Sequence, residues 1–213
     1  MDNGISVQCA FEGSLDEVVV RRLLRHVGAL PGDLYRQKKS DLLGKLPGFN
    51  ASARTRPWLV VVDLDHDTGC APEAVRSWLP VPSHFMNFRV AVREVEAWIL
   101  ADRERLARYL QIPEAHITRT PEAIDYPKEY LINCARASSS SAIRKGIVPG
   151  PGSRRTEGPA YLSLLSEFVN DAERGWRPEV ASAHSESLER CIRSLQKTIG
   201  TFSRESQRRH SSR

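Results

Sequence analysis

Cysteine is scarce in this chain and never closely spaced. Its four cysteines, Cys9, Cys70, Cys134 and Cys191, stand far apart, and no CxxC pair occurs. Zinc fingers and ribbons need tightly spaced ligand pairs, so that class is excluded. Cys9, Cys134 and Cys191 lie in apolar settings, which predicts buried thiols in a reducing cytoplasm. Long hydrophobic runs are missing as well. No apolar stretch approaches the roughly 20 residues of a bilayer span, so no membrane association is expected. Met1-Asp2-Asn3-Gly4 lacks the basic opening of a signal peptide, which again predicts a cytoplasmic protein. There is no GxxxxGK[ST] spacing and therefore no P-loop. Internal repeats are absent, and the second half shows no strand pattern.

The 213 residues, 40% of them hydrophobic, suffice for one good core with a small helical annex. The formal charge of +5 is unevenly spread. Basic residues gather at 36–45 and 144–155, and residues 204–213 hold four arginines and one glutamate. Such an excess favours a polyanionic partner, nucleic acid above all. Solvated surface arginines alone would produce the same total.

The most informative stretch is Trp58-Leu59-Val60-Val61-Val62-Asp63-Leu64-Asp65-His66-Asp67. A continuous aliphatic, β-branched run reads as a strand covered on both faces. Its carboxyl end concentrates charge, and open α/β sheets place their sites at such ends. In an extended segment alternate residues point the same way, so Asp63, Asp65 and Asp67 can converge. Clustered carboxylates repel one another, and hard oxygen ligands call for Mg²⁺ or Mn²⁺ (Ca²⁺ has the same preference).

Two more segments end similarly. Ile5-Ser6-Val7-Gln8-Cys9-Ala10-Phe11 alternates as a first strand and stops at Glu12-Gly13. Ser14 with Glu17 reads as a capping box opening a helix whose stripe is Leu15, Val18, Val19, Leu23 and Val27. Asp16 and Glu17 lie in its first turn, where they serve either the helix dipole or a metal. A third strand is predicted over residues 85–92, running into a helix over 93–102. Glu94 then stands at a strand end like Glu12 and Asp63. Glu96 is read first as a surface helix acid, with ligation as the alternative. Carboxylates at three strand ends are the argument for a site.

Residues 30–56 look irregular, with a turn at Pro31-Gly32. Gly44-Lys45-Leu46-Pro47-Gly48-Phe49-Asn50 is expected to be an exposed loop, and Lys45 on it is a candidate for contact with phosphate. Further on, Tyr126-Pro127 opens a helix, Gly158-Pro159 opens another with Tyr161, Leu164, Leu165 and Phe168, and Ser185 caps a last one. The basic, breaker-rich run from Arg144 through Pro149-Gly150-Pro151-Gly152 to Arg155 is either a flexible linker or a tracker of phosphates through Lys145, Arg154 and Arg155. Composition favours the linker. The expected division is an α/β core over 1–112, a helical extension packing on it over 113–200, and a basic disordered tail over 201–213.

Glu12-Gly13 followed by Asp63-Leu64-Asp65 at the end of an aliphatic strand resembles a Toprim domain, the module of topoisomerases, primases and nucleases of the overcoming-lysogenization-defect type. Over residues 5–197 the chain is similar to a bacterial group of Toprim-like proteins often encoded beside an ABC-type ATPase. The resemblance rests on Glu12-Gly13-x-x-Asp16-Glu17, Trp58 to Asp65, Arg93-Glu94-Val95-Glu96-Ala97-Trp98, Val148-Pro149-x-Pro151-Gly152 and Gly158-Pro159-x-Tyr161. It implies an α/β fold with a mostly parallel sheet of about four strands between helices, and a C-terminal helical extension. It also implies divalent metal at Glu12, Asp63 and Asp65, with Asp16 and Glu94 or Glu96 as further acids, and a basic residue at the scissile phosphate for which Lys45 and Lys145 are candidates. The function expected on this basis is metal-dependent hydrolysis of DNA or RNA, with a role in anti-phage defence. The alternatives are a silent Toprim-like subunit docked on an ABC-type ATPase, or another Mg²⁺-dependent phosphoryl-transfer enzyme.

Overall fold

In a computed structural model, residues 4–65 and 71–211 are described, so Asp67 and Cys70 lie outside the described residues. The chain forms two compact units, one of residues 1–91 with 187–213 and one of residues 92–186. The division therefore falls after Ala91 rather than after residue 112, and the last segment returns to the first unit.

The first unit runs β1 (Ile5–Phe11), α1 (Ser14–His26), β2 (Ala29–Arg36), α2 (Lys39–Ser52), β3 (Trp58–Asp63), α3 (Ala71–Trp78) and β4 (Met86–Ala91). The fold is α/β. The four strands form one all-parallel sheet in the order β2-β1-β3-β4, flanked by helices. Val60, Val61 and Val62 are fully buried, as expected of a strand covered on both faces. The crossover through α1 carries the chain to one side of β1, and the crossover through α2 carries it to the other. The order thus reverses between β1 and β3, and the carboxyl ends of these two strands flank the switch point.

Three expectations are corrected here. Residues 29–36 form a strand, not an irregular turn. β2 is an edge strand, where Pro31 is tolerated, and the register with β1 shifts between Val7 and Cys9. Asp33 N, at this irregularity, donates to Gln8 Oε1 at 2.8 Å. The stretch from Gly44 to Asn50 is helix α2, not a loop. Its breakers Gly44, Pro47 and Gly48 all face solvent, while Leu42, Leu46 and Phe49 recur at helical spacing and are buried. Burial of that stripe against Trp58, Val60 and Val62 outweighs local propensity. The third concerns α1. Gly13, not Ser14, is its N-cap, and Asp16 rather than Glu17 answers it, with Asp16 Oδ2 accepting from Gly13 N at 3.1 Å. Its buried stripe includes Val20 and Leu24 in place of Val18 and Val27.

The second unit holds α4 (Glu96–Leu100), α5 (Arg103–Leu110), α6 (Pro127–Arg136), α7 (Ser141–Ile147), α8 (Tyr161–Asn170) and α9 (Pro178–Ala181). The helix expected over 93–102 is only α4, because Arg93 takes a left-handed backbone with φ 64°. All five residues of α4 are buried. Trp176 Nε1 donates to Trp98 O at 2.9 Å, and fully buried Asp102 is gripped by Arg177 through two guanidinium bonds of 2.7 and 3.0 Å.

The last helix, α10 (Glu186–Ser211), continues through most of the segment expected to be a disordered tail. Within the first unit its Leu188, Cys191, Ile192 and Leu195 are buried. Among the described residues no helix is long and apolar enough to cross a membrane. Cys9, Cys134 and Cys191 are buried and unbridged, and burial pushes the Cys9 and Cys191 thiols up to about 12. Thiols so held are poor nucleophiles.

Candidate functional site

Glu12 follows β1 directly, and Asp63 is the last residue of β3. Because β1 and β3 are neighbours, Glu12 and Asp63 stand side by side at the switch point. Glu12 Oε1 accepts from Asp63 N at 3.0 Å, which fixes the side chain across the strand ends. Asp63 Oδ1 is sealed from solvent. Asp16, only 5% exposed in the first turn of α1, is held by Gly13 N. Of the α1 acids, Asp16 thus spends one oxygen on the helix cap, and Glu17 pairs with Arg21 at 2.9 Å.

Asp65 adopts φ 49°, a left-handed conformation that turns the chain away from the strand. Its Oδ2 pairs with Lys39 Nζ at 2.9 Å, and the same ammonium reaches Leu64 O at 3.4 Å and lies 5.4 Å from the centre of the Trp78 ring. Lys39 opens α2, 26 residues before Asp65. It is the basic residue that the sequence did not single out. The only signal for it was the general basic clustering over 36–45. Lys45, one of the two candidates from sequence, is exposed on the solvent side of α2.

Burial is the chief cause that pushes the Glu12 carboxyl up to about 7; the charges of Asp16 and Asp65 add to it, while the Asp63 N–H and Lys39 oppose it. A carboxyl raised chiefly by burial, beside other carboxylates, is the kind of perturbed group found at functional sites. Among the described residues no three His, Cys, Asp or Glu side chains are already grouped to hold a metal ion. The donor chemistry nonetheless fits a hard divalent cation, since the candidates Glu12, Asp16, Asp63 and Asp65 all offer carboxylate oxygens.

Glu94 and Glu96 belong to the second unit. Glu94 Oε2 accepts from Lys128 N at 2.7 Å, so it caps the amino end of α6. Glu96 is not a surface acid. It is 6% exposed and accepts from the Tyr161 hydroxyl at 2.7 Å. Burial, then the charge and hydrogen bond of Glu96, raise the Tyr161 phenol far above its usual range. Lys128 Nζ pairs with Glu157 and lies 5.0 Å from the centre of the Tyr161 ring. Glu12, Asp16, Asp63 and Asp65 thus all belong to the first unit, while Glu94 and Glu96 each have a bonded place in the second.

The run expected to be a linker is a closed loop. Gly158 N donates to Ile147 O at 2.8 Å and Ala160 N to Gly146 O at 2.9 Å, so the chain returns to where it left. Gly158 is required there, since a Cβ would lie 2.3 Å from Gly146 O. At the tip, Ser153 N donates to Gly150 O at 3.0 Å around Pro151 and Gly152, and Gly152 takes φ 73°. Proline followed by a left-handed glycine is the pattern of a type II turn. Lys145 lines a groove beside this loop, and Arg154 and Arg155 are exposed on its outgoing limb.

No family model, curated protein or solved structure matches the chain.

Proposed function

We propose that the chain is a metal-dependent phosphodiesterase of Toprim type that hydrolyses DNA or RNA in the cytoplasm. The observation that carries this reading is the meeting of Glu12 and Asp63 at the switch point, with the Glu12 carboxyl raised to about 7. Glu12, Asp63 and Asp65 would hold Mg²⁺ or Mn²⁺, and Asp16 would support them. When bound, such an ion acidifies a water and neutralises charge developing on a phosphate. The chain's own groups prepare the place. Asp63 N–H orients Glu12, Gly13 N–H orients Asp16, and Lys39 holds Asp65. Lys39 is a compact cation suited to moving its ammonium from Asp65 to a phosphate oxygen. Glu94 and Glu96 are kept as candidates for a second cation, each needing to exchange its present bond for the role.

The test is cleavage of plasmid DNA and structured RNA with Mg²⁺ or Mn²⁺. Cleavage is expected to vanish in Glu12→Gln and Asp63→Asn; activity that survives both substitutions would sink the reading. A second reading is a catalytically silent subunit that docks on an ABC-type ATPase. The neutralisation of Asp65 by Lys39 favours it, because a cation is already supplied by the chain. It predicts no cleavage by the isolated protein and recovery of cleavage, if any, only with the ATPase present. A third reading, phosphoryl transfer to or from small phosphate esters, is separated by assaying nucleotides and phosphomonoesters alongside polynucleotides.

A further inference from the structure

Arg136 at the end of α6, Arg144 and Lys145 in the last turn of α7, and the 148–153 loop line a groove of about 760 Å³ in the second unit. Every charged side chain lining it is a cation. Among the described residues none of the three is engaged in an ion pair. Arg136, Arg144 and Lys145 all stand in last helical turns, where a cation favours the helix dipole, and Arg144 also donates to Ser138 O and Arg136 Nε to Asn133 Oδ1 at 3.2 Å. The dipole does not explain why three cations from two helices line one recess with no carboxylate among them.

The wall opposite the cations is built rather than slack. Two prolines, the turn at Gly152, the hydrogen bonds closing the loop at Gly158 and Ala160, and the Glu157–Lys128 ion pair brace it. A preorganised wall loses little entropy when a ligand settles against it. No aromatic ring lines the groove, so bases have nothing to stack on and recognition falls to the phosphates. Arg154 and Arg155 continue the positive surface along the same loop, beyond the reach of a single phosphate group. The cations line a recess, which suits a flexible single strand that can settle into it.

We propose that this groove binds the sugar–phosphate backbone of a single-stranded nucleic acid, without base preference. The inference takes its class of ligand from the proposed function and says which surface of the second unit holds it. Binding is read apart from cleavage by working in EDTA. Fluorescence anisotropy of the full chain with a labelled deoxythymidine 12-mer, repeated from low to high salt, gives the affinity and its salt slope. Releasing one counterion from a single strand contributes a slope of about 0.7, which is about fivefold in affinity at 0.1 M salt. Lys145→Gln is expected to lower the slope by about 0.7 and the affinity about fivefold, and Arg136→Gln/Lys145→Gln to lower the slope by about 1.4. Both positions are exposed, so unchanged melting temperatures are expected to accompany the loss. Deoxyadenosine and uridine 12-mers should bind within a factor of about three of deoxythymidine, because phosphate contacts carry no base information. The proposal is overturned if the double variant keeps the wild-type slope and affinity. It is equally overturned if inorganic phosphate or a mononucleotide competes as well as the oligomer, or if duplex is preferred. Loss of oligomer binding without loss of cleavage, or the reverse, separates this groove from the carboxylate site.

Discussion

The carboxyl of Glu12 has a folded value of about 7 against an ordinary value of 4.5, so the fold prefers it protonated. Its contribution to stability is fully present below about pH 4.5 and is lost as the pH rises through about 7. Glu12→Gln keeps the carbonyl that accepts from Asp63 N and removes the charge. The variant should therefore melt above the wild type at pH 8 and with it at pH 4, measured in EDTA. A difference independent of pH would mean that the burial of this carboxylate is not what strains it. Divalent metal should reverse the order by stabilising only the wild type. Lys39 acts on the same group from the other side. In Lys39→Met the stem still covers Trp78, but Asp65 loses its partner, so the Glu12 midpoint should move upward in a carboxyl-resolved NMR titration. Under the nuclease reading its cleavage rate should drop about 100-fold, the usual loss when a preorganised charge leaves a phosphoryl site. A midpoint that stays put would mean Lys39 does not reach Glu12 electrostatically.

Among the elements, β4 and α10 show how a helix is tied to a sheet edge. Asn87 is fully buried on β4; its Nδ2 donates to Trp58 O at 2.9 Å, and its Oδ1 accepts from Ser194 at 2.6 Å and Thr198 at 3.0 Å. Asn87→Leu would strip partners from two hydroxyls and a carbonyl and should cost about 3 kcal/mol in urea unfolding. These ties also mark what a linear reading can and cannot find. β1 and β3 were legible because an unbroken run such as Trp58–Asp63 needs no knowledge of its neighbours. β2 and α2 were not, because Pro31, Gly44, Pro47 and Gly48 speak against any element, and only the location of each at an edge or on a solvent face makes it harmless. The loop ending at Gly158 looked like a linker because its closure depends on contacts with residues 146 and 147, across more than ten positions. In the carboxylate site, Glu12, Asp63 and Asp65 announce themselves at strand ends, whereas Lys39 joins them only once β2 delivers α2 to that side of the sheet. Gly158→Ala should open the loop, seen as proteolytic nicking within residues 148–157, which the wild type resists.

At the scale of the whole chain the first unit is discontinuous, since residues 187–211 complete a structure begun by residues 4–91. Read from sequence alone, residues 201–213 are a basic disordered tail, whose removal would cost the fold nothing. In the structure, Phe202 meets Phe85 edge-on at 5.1 Å and Glu205 pairs with His84 at 2.8 Å. The two readings make opposite predictions for truncation. Removing residues 201–213 takes away an aromatic contact and an exposed ion pair, worth together about 1–2 kcal/mol, and should lower the melting temperature by several degrees while the sheet survives. Removing residues 187–213 also takes away the buried Leu188, Cys191, Ile192 and Leu195 and strands Asn87. Each buried aliphatic side chain contributes about 1.5–3 kcal/mol, so the loss rivals the roughly 5–15 kcal/mol of net stability a domain possesses. The shorter chain should lose amide protection throughout β1, β3 and β4, whereas residues 92–186, with the Trp98–Trp176 bond and the Asp102–Arg177 pair intact, should keep theirs. Hydrogen exchange on both truncations decides the matter. If the sheet keeps its protection without residues 187–213, α10 is an appendage; if it unravels, the carboxylate site at the ends of β1 and β3 exists only because the end of the chain comes back to cover the sheet that carries it.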